Sequence, residues 1–246
     1  MLPAPGPVLR SASMAKIAAI CLLCGLLVGL IPALAAQTVT YNLSTDFSLE
    51  KNPNLVWQYG YSLINSLAPD QFQFDKYADT TGLVGFWHPA KNDGPGPGYY
   101  PYVAFNTTSQ SRTTAANGWA VRAGEVAMEA SNSGQYSLIR FVAPKAGTYK
   151  IVARFEGIHF RLSSTDVHVL RNAASLFDAE INGYGGDPAF HAIEGSNPAA
   201  SYSGSVQLAA GDTITFAVGY GQNKTHYNDT TGLTAEITLL PANAGK

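Results

Sequence analysis

Apolar and polar residues alternate along short runs in the second half of the chain. The run 149–156 shows this most strictly, with one set of side chains expected to face a core and the other to face solvent: Tyr149, Ile151, Ala153 and Phe155 against Lys150, Val152, Arg154 and Glu156. A period of two is that of a β-strand with one buried face. The pattern therefore predicts a strand here.

Similar runs, rich in β-branched and aromatic residues, are separated by Gly, Pro, Asn and Asp. The predicted strands are Val126–Glu129, Tyr136–Val142, Thr148–Phe155, Thr165–Leu170, Ser175–Ile181, Ser205–Leu208, Thr213–Val218 and Leu233–Leu239. About eight strands at this spacing, without helical periodicity, are typical of two packed antiparallel sheets. The sequence predicts an all-β, two-sheet β-sandwich of the jelly-roll type.

The region 37–117 lacks this regularity. It contains a Gly/Pro-rich stretch at 92–98, followed by the aromatic run Tyr99-Tyr100-Pro101-Tyr102. A Pro-rich tract this short is typical of a long loop within a domain rather than of a linker between domains. We expect 37–246 to form a single domain whose N-terminal part, 37–117, is irregular and rich in loops.

The N-terminal region has the features of a signal peptide. An apolar run, Ile17–Ile31, follows Arg10 and Lys16 and ends at Pro32 and the small-x-small sequence Ala33-Leu34-Ala35. This order predicts a signal peptide over 1–36, with cleavage after Ala35 or Ala36 and with Met1 or Met14 as the start. The alternative is an uncleaved anchor helix, because Ile17–Ala36 approaches the roughly 20 residues that cross a bilayer.

Composition excludes some classes of partner and chemistry. Charged residues make up 13% of the 246 residues and the net charge is −2, which gives no electrostatic reason to expect nucleic acid or an anionic membrane. The two cysteines, Cys21 and Cys24, lie in the leader, so the mature chain has no thiol or disulfide chemistry. We expect secretion to the periplasm or the medium.

The sequence contains no familiar catalytic motif: no Gly-x-Ser-x-Gly, no His-Glu-x-x-His and no Gly-rich phosphate loop. Two carboxylates across a cleft would suffice for glycoside hydrolysis. The acidic residues in or beside strands are Glu125, Glu129, Glu156, Asp178, Glu180 and Glu236. Alternation predicts that they face solvent, and we expect a protein that is not an enzyme.

One loop concentrates oxygen donors that suit a hard cation. It is Asn228-Asp229-Thr230-Thr231-Gly232. Calcium takes six to eight oxygen ligands, for which Asp229 would need a partner such as Asp46 from elsewhere in the fold. This predicts a structural Ca²⁺ site, with an Asx turn that binds no metal as the alternative.

Several aromatic residues are candidates for ligand contact. Sugar rings stack their apolar C–H faces on aromatic planes. Tyr99, Tyr100 and Tyr102 are candidates because they lie beside Gly and Pro, and Trp119 is a fourth. The alternative for each of them is a place in the core.

Four groups of residues carry a resemblance to a known family. They are Asn52-Pro53-Asn54 with Trp57-x-Tyr59-Gly60, Arg140-Phe141-x-Ala143-Pro144-x-Ala146-Gly147-x-Tyr149, Asp166-Val167-x-Val169, and Ala210-Gly211-Asp212-x-Ile214-x-Phe216-x-Val218-Gly219. From Asn52 onward the chain resembles a jelly-roll module common in secreted and surface-sorted bacterial proteins, including many with the PEP-CTERM sorting signal. The resemblance implies a carbohydrate-binding-like sandwich. Because Leu239–Lys246 has no Val-Pro-Glu-Pro motif, we expect release rather than anchoring.

These features favour a secreted, non-catalytic module that binds glycan or another extracellular polymer. One alternative is an extracellular structural or interaction protein without a sugar site. A polysaccharide-degrading enzyme is the third hypothesis.

Overall fold

The computed structural model describes residues 38–81, 84–89, 100–114 and 118–242. Within these ranges the regular structure consists of β-strands and one 3₁₀ turn, Pro69–Gln71. The strands are β1 Val39–Asn42, β2 Trp57–Ser62, β3 Phe72–Phe74, β4 Tyr77–Thr81, β5 Val84–His88, β6 Tyr102–Asn106, β7 Arg112–Thr114, β8 Trp119–Val121, β9 Val126–Glu129, β10 Ser137–Val142, β11 Gly147–Gly157, β12 Thr165–Arg171, β13 Ala174–Tyr184, β14 Glu194–Asn197, β15 Ala199–Leu208, β16 Thr213–Val218 and β17 Thr231–Leu239. The expected signal peptide, 1–36, and Tyr99 lie outside the described residues. In the described part, no helix is long and apolar enough to span a membrane.

Strands β9 to β17 form two antiparallel sheets with jelly-roll connectivity. One sheet contains the order β15-β11-β17-β9, and the other contains β13-β12-β16-β10, with β14 beside β13. The chain crosses between the sheets at most connections, so that sequence neighbours such as β10 and β11 lie in opposite sheets. This is the eight-strand arrangement of two Greek keys. The predicted all-β, two-sheet jelly-roll sandwich is confirmed.

The region 37–117 adds strands to the same two sheets. Strands β6, β5 and β4 continue the first sheet beyond β9, while β2 and β3 continue the second beyond β10. Strand β1 pairs with the C-terminal half of β17. The irregular appearance of this region has a physical cause, because β5 is buried along its whole length and therefore shows no alternation.

The main core lies between the two sheets. The inward residues of the run 149–156 are at most 1% exposed, as their alternation predicts: Tyr149, Ile151, Ala153 and Phe155. Trp57 in β2 is also fully buried and packs edge-on against Phe141, with ring centroids 5.5 Å apart. Truncating an aromatic residue in such a core typically costs about 3–5 kcal/mol. These rings hold the sheets face to face.

A second apolar cluster lies on the outer side of the first sheet. Its members are Val84, Phe86, Tyr102, Ala104, Trp119, Val121, Ala127 and Ile158. The β7–β8 hairpin contributes two of them and is tied to the end of β11, where the Ala120 amide donates to the Ile158 carbonyl at 3.0 Å. This cluster determines which aromatic residues near the candidate site are buried.

Candidate ligand-binding site

Four segments that cross between the sheets meet at one end of the sandwich, which we call the loop end. They are 130–136, 158–164, 185–198 and 219–230. The His226 amide donates to Asn132 Oδ1 at 3.2 Å, and the Ser164 amide donates to Asp229 Oδ1 at 3.0 Å. Segments far apart in sequence are therefore bound to one another here.

Three aromatic rings contact one another in series at the loop end, and we call them the aromatic rim: Tyr100 is tilted by 53° against His226, and His226 stacks with Tyr227. The His226 ring centroid lies 4.0 Å from that of Tyr100 and 4.8 Å from that of Tyr227, and the His226 and Tyr227 planes are 29° apart. Tyr100 packs against the second apolar cluster, and His226 is 6% exposed. Tyr227 is 65% exposed, so the stack runs from the protein interior to solvent.

The backbone of the loop 219–230 is shaped to present Tyr227. Lys224 and Asn228 adopt left-handed conformations, with φ of 55° and 71°. Asn tolerates this region better than most residues, because its short polar side chain bonds locally. The Tyr227 amide donates to the Thr225 hydroxyl at 3.3 Å. Two sharp changes of direction thus flank an aromatic side chain that projects outward.

A buried carboxylate, Glu129, supports the stack from below. It is 4% exposed, and its Oε1 lies 3.2 Å from His226 Nδ1. The hydroxyls of Tyr102 and Thr230 both donate to Glu129 Oε2 at 2.6 Å. Burial, together with the neighbouring Glu129 charge, raises the pKa of Tyr102 well above its usual range. Tyr102 therefore stays protonated and donates, and the network fixes the His226 ring on which Tyr227 stacks.

Asp229 ties the last loop to the segment 158–164. It is fully buried, and its backbone carbonyl accepts the hydroxyls of Thr165 at 3.2 Å and Thr231 at 3.0 Å. Burial is the main cause that raises the pKa of Asp229 to about 7, and the charge of Glu129 raises it further. Its Oδ2 has no hydrogen-bond partner among the described residues. Asp229 is thus a structural acceptor with one carboxyl oxygen unused.

The four predicted ligand-binding aromatics have different positions. Tyr100 lies on the rim, whereas Tyr99 is outside the described residues. Tyr102 and Trp119 are 4% and 3% exposed and belong to the second apolar cluster. Because the β7–β8 hairpin covers that face of the sheet, their rings are not available to a ligand at the surface. Tyr102 reaches the site through its hydroxyl and through its ring, whose centroid lies 5.4 Å from that of Tyr100.

The two predicted calcium ligands share no neighbour. Asp46 Oδ2 accepts the Asn42 amide and the Trp57 indole N–H, each at 3.1 Å, which places it beside β1 and β2. Asp229 bonds instead to Ser164 at the loop end. In the part of the chain that the structure describes, no three His, Cys, Asp or Glu side chains are grouped to hold a metal ion. Asp46 is thus a local acceptor, and calcium at Asp229 stays a prediction.

Sequence reasoning missed His226 and Tyr227, the outer two-thirds of the rim. Tyr227 directly precedes Asn228-Asp229, so the position of an aromatic residue beside a turn was an available signal. Its exposure could not be predicted, because the position of its loop depends on Asn132 in the segment 130–136, which accepts hydrogen bonds from Thr225 and His226.

The expectation that the strand carboxylates face solvent is wrong for three of the six. Glu125, Glu129 and Glu156 are 1%, 4% and 3% exposed, whereas Asp178, Glu180 and Glu236 are exposed as predicted. The exceptions lie where the segment from β8 to β9 and the loop end cover the sheet. Alternation assigns a face correctly but does not reveal what covers it.

The carboxyl groups of Glu125 and Glu156 lie close enough to interact beneath this cover. Burial and the Glu156 charge raise the pKa of Glu125 well above its usual range. Glu156 accepts Arg122 Nε at 2.8 Å and Arg154 Nη2 at 2.9 Å. Glycosidase carboxyls stand about 5 Å or more apart across a cleft. This pair in contact has the arrangement of a structural link.

Comparisons with known proteins give no family. No family model matches the chain, and no curated protein matches it. The chain is similar to the solved structure of CBM51 from Clostridium perfringens GH95 in complex with methyl-galactose, with 13% identity, a TM-score of 0.36 and coverage of 81% of this chain and 99% of that chain. It is also similar to a family 35 carbohydrate-binding module from Clostridium thermocellum, with 10% identity and a TM-score of 0.30. That match covers 84% of this chain and 100% of that chain.

A cleaved adhesin domain of Lys-gingipain from Porphyromonas gingivalis is a third similar structure. Its identity is 13%, its TM-score is 0.34, and the match covers 82% of this chain and 97% of that chain. At such identities and TM-scores, these likenesses carry no argument about ligand or activity. The jelly-roll assignment rests on the strand order of this chain.

Proposed function

We propose that the protein is a secreted, non-catalytic module that binds glycan through the aromatic rim. The observation that carries the proposal is the Tyr227 ring, which is 65% exposed and rests on the His226 ring at 4.8 Å. A tyrosine in the core exposes no face, and one free in solvent has no fixed orientation. Tyr227 exposes its ring to solvent, while His226 holds the ring in a fixed orientation.

The chemistry of the rim suits a sugar. A pyranose ring offers apolar C–H groups to an aromatic plane while its hydroxyls need hydrogen-bond partners. Asn132 and Asn223 are exposed on the same loops and offer amide donors and acceptors. Because the stack on Glu129 holds Tyr227 in advance, little side-chain entropy is lost when a ligand binds.

The expected leader and the buried carboxylates support the rest of the proposal. The leader over 1–36 favours an extracellular protein. Glu125, Glu129 and Glu156 each serve bonds within the protein, which favours binding over hydrolysis.

A glycan array tests the proposal. Wild-type protein should bind a restricted set of glycans, and Tyr227→Ala should lose those signals. The matched control is Tyr77→Ala, because Tyr77 is 39% exposed and also stacks on a histidine, His88 at 5.9 Å, but lies on edge strand β4 outside the rim. An array on which wild type and Tyr227→Ala give the same signals would remove the rim as the binding site.

A specific observation favours the second candidate, an interaction protein without a sugar site. Leu162, Phe190 and Ile193 at the loop end are 56%, 38% and 53% exposed. Exposed apolar residues that cluster are typical of protein interfaces. An array without any signal, together with a protein partner lost in Ile193→Ser, would favour this candidate.

A further inference from the structure

Strand β15 is an unusual sheet edge. It ends the first sheet, is ten residues long and contains neither a charged residue nor proline. The opposite edge, β4, has five residues and includes Asp79, and the second sheet ends in β14 with four residues and β3 with three. Proteins usually prevent an exposed edge from pairing with another chain by means of short strands, charges, proline or bulges. In the described part of the chain, β15 alone among these four edges uses none of these devices.

The register identifies the backbone groups on the open side of β15. It pairs with β11 from Gly147–Leu208 to Glu156–Ala199 without a shift, and the Gly157 amide donates to the Pro198 carbonyl at 3.0 Å just beyond. Bonded and non-bonded positions alternate along an antiparallel pair. The residues that turn their N–H and C=O groups away from β11 are therefore Ala199, Ser201, Ser203, Ser205 and Gln207.

The side chains of β15 leave this edge accessible. Ala200, Tyr202 and Val206 pack against the main core, which holds the strand in the sheet. The serines between them, Ser201, Ser203 and Ser205, are exposed and small. Neither bulk nor charge on the strand opposes an approaching strand.

We propose that two copies of this chain pair antiparallel through β15 and form a dimer with one continuous sheet. A twofold axis at Ser203 would place Ser201 opposite Ser205 of the other copy and form five hydrogen-bonded pairs with two bonds each. A second copy fits because it offers an edge of equal length that is equally free of charge. Such self-complementarity is the condition for a twofold interface.

The charges nearest the edge do not oppose this pairing. Lys150 and Arg154 lie on β11, the next strand inward. Across the dimer, the two β11 strands would be three strand spacings apart, about 14 Å. This exceeds the screening length of about 8 Å at physiological salt, so repulsion between the copies is weak.

The dimer has a consequence for the aromatic rim, which rests on the proposed function. Strand β15 begins at the loop end, where Pro198 meets Gly157. Antiparallel pairing therefore points the two loop ends in opposite directions. A dimer of this kind would bridge two polymer chains rather than bind one surface through both sites.

Sedimentation equilibrium of the purified protein tests the dimer, with or without a glycan ligand. Wild type should dimerise, and Ser203→Pro should weaken dimerisation at least tenfold, because proline removes an outward N–H and is tolerated on a free edge. The matched control, Ser203→Val, keeps that N–H and should dimerise like wild type. A monomeric wild type at about millimolar concentration, or a Ser203→Pro dimer as tight as wild type, would overturn the proposal.

A second variant covers the case in which Ser203→Pro does not fold. Ser201→Lys with Ser205→Lys places two pairs of like charges directly opposite each other in the proposed register, so it should also dissociate the dimer. In hydrogen exchange, the amides of Ser201, Ser203 and Ser205 should become protected as protein concentration rises. Concentration-independent exchange at all three would contradict β15 pairing, whatever the state of the rim.

Discussion

Asp229 is a residue at the loop end whose protonation affects stability. Burial raises its pKa to about 7, against an ordinary value of 3.8. Because the folded pKa is the higher one, the neutral carboxyl favours the folded state. This contribution is complete below about pH 3.8 and is lost as pH rises through about 7.

We expect Asp229→Asn to flatten this pH dependence. The amide keeps the Oδ1 acceptor for the Ser164 N–H but does not ionise. Relative to the variant, wild type should lose about 2–4 kcal/mol of unfolding free energy between pH 4 and pH 8, since each pKa unit corresponds to about 1.4 kcal/mol. Urea unfolding in the presence of chelator measures the difference. Parallel curves for the two proteins would refute the assignment to Asp229.

Calcium at Asp229 gives a separate prediction. A ligand that binds only the native state stabilises it by mass action, so chelator should lower the melting temperature of wild type. Asp229→Ala should be insensitive to chelator and about 1–3 kcal/mol less stable, because it leaves the Ser164 amide without its acceptor. A wild-type melting temperature unchanged by chelator would leave Asp229 with its intramolecular bonds and no metal role.

Neighbouring residues show how far the site could be predicted. Tyr100 and Tyr102 have nearly the same sequence context, yet Tyr100 belongs to the rim and Tyr102 is 4% exposed. Strand alternation turns Tyr102 onto the outer face of the sheet, but the hairpin that covers this face comes later in the sequence. The local sequence therefore predicts a cluster of aromatic residues but does not show which of the rings is exposed to solvent.

At the scale of elements, the Glu125–Glu156 contact joins the turn before β9 to β11. The Arg122 amide donates to Glu125 Oε2 at 2.9 Å, and Arg122 Nη2 donates to the Gly185 carbonyl at 3.3 Å. One carboxyl in the pair carries a proton at neutral pH, because two buried charges in contact are strongly disfavoured. This link connects the first sheet with the segment 185–198.

Replacing Glu125, the protonated member, should cost less stability at high pH than replacing Glu156, the charged member. Since the folded pKa of Glu125 is raised, its contribution is lost as pH rises. Glu125→Gln should therefore gain stability over wild type as pH increases. Glu156→Gln weakens the pairs with Arg122 and Arg154 and should cost about 1–2 kcal/mol, a modest value because both arginines are partly exposed.

Thermal unfolding of both variants at pH 5 and pH 8 distinguishes the two roles. Equal losses of stability in Glu125→Gln and Glu156→Gln at both pH values would contradict the shared proton. A gain for Glu156→Gln at pH 8 instead would reverse the assignment of the charge.

Some strands were predictable and others were not, for a physical reason. Strand β11 has a core face and a solvent face, so its period of two is visible in the sequence. Strands β5 and β8 are buried along their whole length, which removes the alternation. Alternation is visible in the sequence only where one face of a strand is exposed to solvent, and β5 and β8 have no exposed face.

At the scale of the whole molecule, the sandwich separates two surfaces. The rim belongs to the loop end, whereas the open edge runs along β15. The jelly roll was predictable because eight half-buried strands have few ways to pack. The rim was not, since Tyr100 and His226 come from separate parts of the sequence and a third part supplies Asn132, which holds the His226 amide.

This separation bears on the edge variant. Ser203→Pro removes a backbone donor far from the rim loops in the fold, so we expect it to leave the glycan affinity of each site unchanged. Precipitation of a soluble polymer should be lost in the variant, because only a dimer carries two sites that can join two polymer chains. Equal precipitation of the polymer by wild type and Ser203→Pro would contradict bridging by the β15 dimer.

Calorimetric titration of a glycan selected on the array tests the central claim most directly. We expect Tyr227→Ala to weaken binding at least tenfold, or about 1.4 kcal/mol, while Tyr227→Phe and Tyr77→Ala stay within about twofold of wild type. The reason is that stacking requires the ring of Tyr227 rather than its hydroxyl. Wild-type affinity in a folded Tyr227→Ala protein would contradict glycan binding at the aromatic rim.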